Sequence, residues 1–591
     1  MSILIKTVRV FGFRGLQNIE VELEPLTVLT GINNSGKTSF LKALQIALGN
    51  SQFISQDDFY ISDNLGSKSI IVDIKIIPMD KDGKYAEKFS EDWEILFGVE
   101  KIKTDSEGNH FIPLRTIVSV DLINNSYKTK HYILQDWPVL NNDKNESWHQ
   151  ADNGLEKSFY YPDALPFFYM DAQRDILEDI KLKSSYLGRM ISKIKYEPKD
   201  REEIEEQIKK LNEKAISSSD ILSNIKTTLK ELNSAMDTAT EGVEITPFTK
   251  KVRDLNKGLS IYYADKKDSF SMEYHGMGTR SWSSLLTLKS FVTLSSKNAE
   301  ANSKTPFFPI IALEEPEAHL HPNAQKKLYS QIAGIEGQKI ISTHSPYIAA
   351  SAELNQIRNF YKGDDSVICG KINVELLSSE DRRKIKRQVL NTRGELFFSK
   401  IIVFFEGETE EQALPIFAEH YFGKTPVEMG INFVGVDGHG NYLPFLRVAE
   451  NLKIPWFIFS DGEEKIKKSV RKQYGDCQPS KEETEVIVFL DEGNNFEQQL
   501  LKDGFIDEFK EAVKQIEKYD NEENKEAKTK KIEGYDEEKL YITIKKRKTQ
   551  FGPVIAEVII ESGKELPPKI IELFEKIEVL MNRRDNQCQT K

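Results

Sequence analysis

Residues 26–44 read LTVLTGINNSGKTSFLKAL, and this stretch decides the fold of the first half of the chain. A β-type run, Leu26 to Thr30, leads into Gly31. The spacing Gly31-x-x-x-x-Gly36-Lys37-Thr38 follows, and a helical run begins behind it. Glycines at these places let backbone N–H groups close around phosphate oxygens. The Lys37 ammonium neutralises β/γ-phosphate charge, and the Thr38 hydroxyl can ligate Mg²⁺. The strand–loop–helix context favours an ATP-binding loop over a chance glycine-rich turn. Asn34, Ser35, Gly36, Lys37, Thr38 and Ser39 are therefore read as nucleotide-binding residues.

Three further stretches fit the same site. In FFPIIALEEPEAHLHP (307–322) an apolar strand ends at Glu314, suited to the Mg²⁺ shell, and Glu315, suited to polarising the attacking water. In KIISTHSPYIAA (339–350) a second strand delivers His344 toward a γ-phosphate. YHGMGTRSWSSLL (274–286) puts Gly276 and Gly278 ahead of a helix start, where N–H groups can meet a phosphate. In the group of ATPases that these motifs resemble, a glutamine-bearing loop joins the site, and two stretches compete for it here: PFFYMDAQRDI, with Gln173, Arg174 and Asp175, and FISQDDF, with Gln56.

The other half of the chain repeats a different theme. IIVFFEGETEEQ (401–412) is an apolar strand ended by Glu406, with Glu410 four residues on, where a helix should begin. IPWFIFSDGEE ends the same way in Asp461, with Glu463 two residues later, and NNFEQQLL adds Glu497. Each acid alone reads as solvated surface. Several at the ends of parallel strands repel one another unless cations lie between them, and Mg²⁺ or Mn²⁺ prefers such oxygen ligands. Two such ions about 4 Å apart activate water and stabilise the leaving oxygen of a phosphodiester. Lys548, in KKRKTQFGPVIA, can offset transition-state charge.

The chain has 591 residues, enough for two to four domains, and a formal net charge of −12, which argues against uniform coating of nucleic acid but not against a local basic groove. Such a groove has candidates in RRKIKR (382–387), KIKKSVRK (465–472) and KKRK (545–548). Three isolated cysteines suggest neither disulfides nor zinc, and no apolar run reaches the roughly 18 residues of a membrane span. A reducing cytoplasm is the expected location. Residues 1–175 alternate as strands. Residues 176–236 carry helical stripes, Ile204, Ile208, Leu211, Ala215 and then Ile221, Ile225, Leu229, Leu232, Met236, around an SSSD break. They read as a helical hairpin that dimerises through its apolar face. Residues 237–390 return to mixed strands and helices. Residues 391–591 alternate strands and helices as a parallel sheet does, with a charged, solvated stretch at about 506–540.

The first-half motifs resemble the ABC-type ATPases of the structural-maintenance and RecF-like group. In that group two heads clamp two nucleotides, and the signature of one head, here Gly276–Ser281, completes the site of the other. Glu314 stands where the group has Asp, and HGMGTRS departs from the usual signature. The second half resembles a Toprim domain, with Glu406 as its lone glutamate, Asp461-x-Glu463 in place of Asp-x-Asp, and VGVDGHGNYLPFL between them. ATPase then Toprim, an α/β chain throughout, resembles the overcoming-lysogenization-defect (OLD) nucleases, which include anti-phage effectors of Gabija and retrons. The resemblance implies ATP and Mg²⁺ or Mn²⁺ as cofactors and DNA as substrate. It also implies a homo-oligomer (dimer or tetramer) and allows a co-encoded helicase or reverse transcriptase with its DNA product. Metal ligands would be Glu406, Glu410, Asp461, Glu463 and Glu497, with Lys548 assisting. A DNA clamp whose Toprim domain no longer cuts is the alternative. A strand-passage enzyme ranks last, since no separate domain offers a tyrosine nucleophile.

Overall fold

Every residue of Leu26–Thr30 and of Gln338–Ser342 is buried, as are all of Ile401–Phe405 and Trp456–Ser460. Strands this uniformly buried are covered on both faces, the condition of a parallel sheet flanked by helices. The computed structural model of the protein describes residues 2–49, 54–60, 69–80, 83–121, 126–138, 148–150, 156–157, 163–182, 197–223, 262–265, 268–302, 306–363, 366–545 and 547–589. Met1–Met170, Lys304–Glu317 and Pro322–Lys591 form one compact unit; Asp171–Ser303 with Ala318–His321 form another.

Three sheets build the first unit. An antiparallel sheet runs in the order Leu16–Glu22, Ser2–Phe13, Ser69–Met79, His110–Asp121, Ser126–Ile133, Glu156–Lys157, and Lys103–Thr104 joins His110–Asp121. Asp73 and Arg115 face each other across two of its strands as a buried two-bond pair, both bonds 2.7 Å, which fixes their register. The second sheet has the order Val367–Lys371, Ile357–Lys362, Leu26–Thr30, Gln338–Ser342, Ile310–Glu314, Phe167–Met170. It is parallel except for Val367–Lys371. The third, wholly parallel, has the order Ile431–Gly435, Ile401–Phe405, Trp456–Ser460, Ile487–Phe489. Its first strand in the chain, Ile401–Phe405, has its successors on opposite sides. The strand order therefore reverses there, and ligands of open α/β sheets collect beyond the carboxyl ends at such a point.

Two stretches fold differently from their reading. Within the alternating 391–591 region, the apolar-rich stretch TEVIVFL (484–490) invites a full strand, but only Ile487–Phe489 pairs as one, because a capping box between Glu482 and Glu485 winds Glu483–Val486 into a helical turn. The span 506–540 is charged but not simply solvated. Its helix Ile506–Ile516 buries Phe509, Ala512 and Val513, and Ile532 and Leu540 join the same core under the parallel sheet. Apart from Glu508, which is buried and paired with Lys564, the charges of Ile506–Ile516 lie off the buried face, so composition alone hides the apolar stripe.

In the second unit, Pro198–Ser217 is a helix that buries Ile208, Asn212 and Ile216 and leaves Leu211 50% exposed. The covered side thus lies one position round from the apolar stripe read in the sequence. Ile225, Leu229, Leu232 and Met236 lie outside the described residues. The helix Met277–Asn302 starts at the glycine pair, with Arg280 paired to Asp175 and the Ser281 hydroxyl donating to the Arg174 carbonyl at 3.0 Å.

Candidate nucleotide and metal sites

The phosphate loop lies between the buried strand Leu26–Thr30 and the helix Lys37–Leu48. Lys37 is itself buried and donates to the carbonyls of Gly31 and Ile32, both at 2.8 Å. Burial pulls its ammonium down to about 8, against the charges of Glu315 and Glu317. The Thr38 hydroxyl donates to one oxygen of Glu314, and the Tyr169 hydroxyl to the other. The two groups read as Mg²⁺ ligands therefore meet, Thr38 from the first turn of its helix and Glu314 from the end of a strand. His344 Nε2 lies 3.5 Å from Glu315. Burial and the Lys37 charge push the imidazole down to about 4, so it is neutral at pH 7 and this contact is not an ion pair. Asn34, Ser35, Gly36 and Ser39 lie in the same loop and first turn. Gly278 lies in the second unit, in the first turn of Met277–Asn302, packed so closely that an added Cβ would come 2.5 Å from the His319 carbonyl. Phe167–Met170, the strand leading to Gln173, pairs with Ile310–Glu314, whereas Gln56 begins a short helical turn.

One residue of this site escaped the sequence reading. Glu317 is buried, and its Oε1 accepts from the Thr343 hydroxyl at 2.5 Å, the His344 amide at 2.8 Å and the Ser345 amide at 3.1 Å. It ties the His344 loop to the Glu315 turn. Its signal was the third acid of EEPE. Glu317→Ala strands these donors and is expected to cost about 2 kcal/mol or more of stability, read by urea unfolding. An unchanged midpoint would show that the loop holds itself.

The acids of the parallel sheet gather beyond its carboxyl end. Glu406 directly follows Ile401–Phe405 and Asp461 directly follows Trp456–Ser460. Glu410 comes from the first turn of the helix Glu408–Phe422, and Glu497 from the first turn of Phe496–Lys502; both are buried. Glu463 precedes the helix Glu464–Cys477 without a capping bond from its side chain and is exposed. Lys548 begins the helix Lys548–Glu561 and contacts Glu497 at 2.9 Å. Burial would lower its ammonium, but Glu497, Glu410 and Asp461 outweigh this and raise it. Gly462, between Asp461 and Glu463, admits no side chain: a Cβ would fall 1.7 Å from the Asp491 carbonyl.

Burial, then the charges of Asp461 and Glu497, push Glu410 up to about 8. Burial, then Glu406 and Glu497, push Asp461 up to about 7. Burial also raises Glu406, against hydrogen bonds to its Oε1 from Ser460 at 2.7 Å and Tyr442 at 3.3 Å. Ser460 and Tyr442 were not read from the sequence. Nor was Thr409, whose hydroxyl donates to Glu497 at 2.6 Å, or His439, whose charge Glu406 senses. The one polar residue ending WFIFS was the signal for Ser460.

A divalent cation fits these residues in kind. Asp461 Oδ1 and Glu497 Oε2 are buried without a hydrogen-bond partner among the described residues, and the mutually raised acids call for positive charge. The acids do not stand as a closed shell, however: among the described residues no group of three or more His, Cys, Asp or Glu side chains is poised around one point.

This charge pattern predicts a pH effect. The folded protein holds Asp461 and Glu410 protonated to about 7 and about 8, above their ordinary 3.8 and 4.5. The stability this represents is present at low pH and lost as pH rises through those values. In a chelator the melting temperature should fall from about pH 4 to about pH 8, and Mg²⁺ should restore it at the alkaline end, where the acids have lost their protons and the cation offsets their repulsion. A flat profile with and without Mg²⁺ would mean the acids do not share one site.

A P-loop ATPase sheet continuing into a parallel sheet with acids at its switch point defines an ATPase–Toprim protein. The chain belongs to the AAA ATPase domain family, matched over residues 4–349, and carries an overcoming-lysogenization-defect-protein-like TOPRIM domain, matched over residues 397–462. It is 22% identical over 484 residues to the OLD nuclease of Thermus scotoductus, covering 78% of this chain and 82% of that one. It is 23% identical over 512 residues to the endonuclease GajA of Bacillus cereus, covering 75% and 71%. Among solved structures, the Smc head domain with extended coiled coil of Pyrococcus furiosus is 16% identical, covers 65% of this chain and 99% of that one, and has a TM-score of 0.36.

The basic segments differ in how free their cations are. In 382–387, Lys384 pairs with Glu380, Lys386 with Glu353, and Arg382 donates to the Leu377 and Val374 carbonyls. In 465–472, Lys468 pairs with Glu464 and Arg471 with Glu483, while Lys465 and Lys472 are exposed on a helix that starts beside Asp461. Of 545–548, Arg547 pairs with Glu517. No described helix is long and apolar enough to cross a membrane.

Proposed function

We propose that the protein is an endonuclease that cuts DNA with Mg²⁺ or Mn²⁺ held by Glu406, Glu410, Asp461, Glu463 and Glu497, that its ATPase governs cutting, and that it serves anti-phage defence in the cytoplasm. The observation that carries this reading is the joint rise of Asp461 and Glu410 beside Lys548 at the switch point of a parallel sheet. The metal, when bound, supplies an activated water and charge neutralisation at the scissile phosphate. Ser460 and Tyr442 hold Glu406 in orientation, Thr409 holds Glu497, and Lys548 keeps its proton to face phosphate charge. Lys465 and Lys472 suit the flanking backbone. In the ATP site, Lys37 and Thr38 hold phosphate and Mg²⁺, Glu314 shares that ion, Glu315 orients water, and neutral His344 donates toward the γ-phosphate. Names of the relatives, nuclease and endonuclease, support the cutting. The test is a supercoiled plasmid with Mg²⁺ or Mn²⁺: nicked or linear product is expected, and untouched plasmid would favour the second reading.

That second reading, an ATP-dependent clamp with a non-cleaving Toprim domain, draws on the exposed Glu463 and the open arrangement of the acids. A homo-oligomer, dimer or tetramer, also belongs to the proposal, with the exposed Leu211 on its contact face. Leu211→Glu should lower the mass seen by light scattering; an unchanged mass would place the contact elsewhere.

A further inference from the structure

The helix Tyr442–Asn451 touches both candidate sites' frameworks, one at each end. Just past its C-terminal end, the Leu452 carbonyl accepts from Asn359 Nδ2 at 3.0 Å. Asn359 is buried, and its Oδ1 accepts from the Thr30 hydroxyl at 3.1 Å. Thr30 is the last residue of the strand that enters the phosphate loop, and Asn359 is its register partner. Gly370 lies opposite Asn359 on the next strand, so close beneath Leu452 that a Cβ would fall 2.5 Å from that residue's Cα and carbonyl carbon. The Asn373 amide donates to Asn451 Oδ1 at 3.2 Å, and Arg447 pairs with Asp381 at 2.7 Å. The C-terminal half of the helix is thus gripped by the nucleotide-binding sheet and the segment that follows it.

At the N-terminal end stands Tyr442, fully buried. Its hydroxyl donates to Glu406 Oε1, the same oxygen that Ser460 holds. Between the two ends lie ten residues of continuous helix, about 15 Å at the ordinary rise. A helix keeps its length because shortening it would break its backbone hydrogen bonds. A shift of the strand at Thr30 therefore moves Leu452, and Tyr442 with it.

We propose that Tyr442 is a positioning residue for Glu406, and that its helix is the rod by which the nucleotide-binding strand sets that carboxylate's place. This rests on the reading that the ATPase governs cutting. Nucleotide can shift an equilibrium only through contacts that differ between states, and the series Thr30–Asn359–Leu452 supplies one that ends at Glu406 rather than at the protein surface. A second link joins the halves, since the Phe398 ring lies 6.0 Å from that of His344. The variants below leave it intact.

The test compares the full-length protein with Asn359→Ala, Gly370→Ala and Tyr442→Phe. Asn359→Ala cuts the grip, Gly370→Ala wedges it open, and Tyr442→Phe removes the hydroxyl while keeping the ring. Two quantities are read with and without a non-hydrolysable ATP analogue at fixed free Mg²⁺: the initial nicking rate, and amide hydrogen exchange over residues 436–450. In the native protein the nicking ratio should differ from one by at least about fivefold, the low end of ordinary coupling, and exchange over 436–450 should change with it. In Asn359→Ala and Gly370→Ala both responses should shrink to within about twofold of none, although labelled-nucleotide binding and nucleotide-free nicking persist. Tyr442→Phe should keep the exchange response and lose the nicking response, a split that simple loss of packing would not produce. Melting curves identify any variant that fails to fold, and either grip variant alone suffices. A nicking ratio of one in the native protein would remove the regulatory reading together with the rod. A native response that survives in the grip variants would overturn the rod alone and point to the His344–Phe398 link.

Discussion

Asp461→Ala is expected to lower the initial rate of plasmid nicking by at least about 10²–10³-fold, the usual loss when one preorganised charge-stabilising group leaves a site. Asp461 terminates a fully buried strand, and its Oδ1 is buried with no partner among the described residues, so the aspartate has no local structural bond at that oxygen to explain its presence. Its carboxyl is pushed up to about 7 by burial and by Glu406 and Glu497, a position that a cation would relieve. Removing it should also ease the repulsion on Glu410, so the variant should be no less stable than the native protein at pH 8 in a chelator. Lost activity with retained or raised stability separates a metal ligand from a packing residue. Glu406→Ala should lose activity likewise. Labelled-ATP binding should persist in both, since neither touches the phosphate loop. Native-like nicking by both variants would remove the metal-site assignment.

The second large effect concerns the ATP site. Lys37→Ala should weaken ATP binding by about 10²-fold, the worth of a buried charge-assisted contact to phosphate. The Lys37 ammonium is already aimed into the loop by the Gly31 and Ile32 carbonyls, so its binding geometry is prepaid in the free protein. Glu315→Gln should bind ATP as well as the native protein and hydrolyse it about 10²–10³-fold more slowly, because the amide keeps the shape and loses the charge that orients water. His344, neutral and 3.5 Å from Glu315, is a donor in this arrangement. Native-rate hydrolysis by Glu315→Gln would move the catalytic role elsewhere, with Glu314 the next acid to test.

The phosphate loop was legible because its chemistry is local. Gly31, Gly36, Lys37 and Thr38 lie within eight consecutive residues, and strand, loop and helix each declare themselves by composition. The parallel sheet of the second half was legible for a similar reason: IIVFF is apolar throughout, WFIFS is apolar except for Ser460, and an acid directly follows each. Period and punctuation are properties of a short window, so neither needed the fold.

What joins residues distant in the chain was not legible. Thr38 meets Glu314 across 276 positions, and Glu406 receives Ser460 from 54 positions away and Tyr442 from 36. Whether Lys548 reaches Glu497 depends on where the helix Lys548–Glu561 packs, which no pattern in KKRK states. The span 506–540 shows the same limit: a charge count reads its solvent face, while Phe509 and Leu540 become core only when a sheet lies beneath them. Hydrophobic pattern and loop chemistry therefore set which strands, helices and reactive side chains exist, because these depend on neighbours in sequence. Strand order, burial and the pairing of acids with their supports depend on packing, and packing also set the pKa values from which the metal site is inferred.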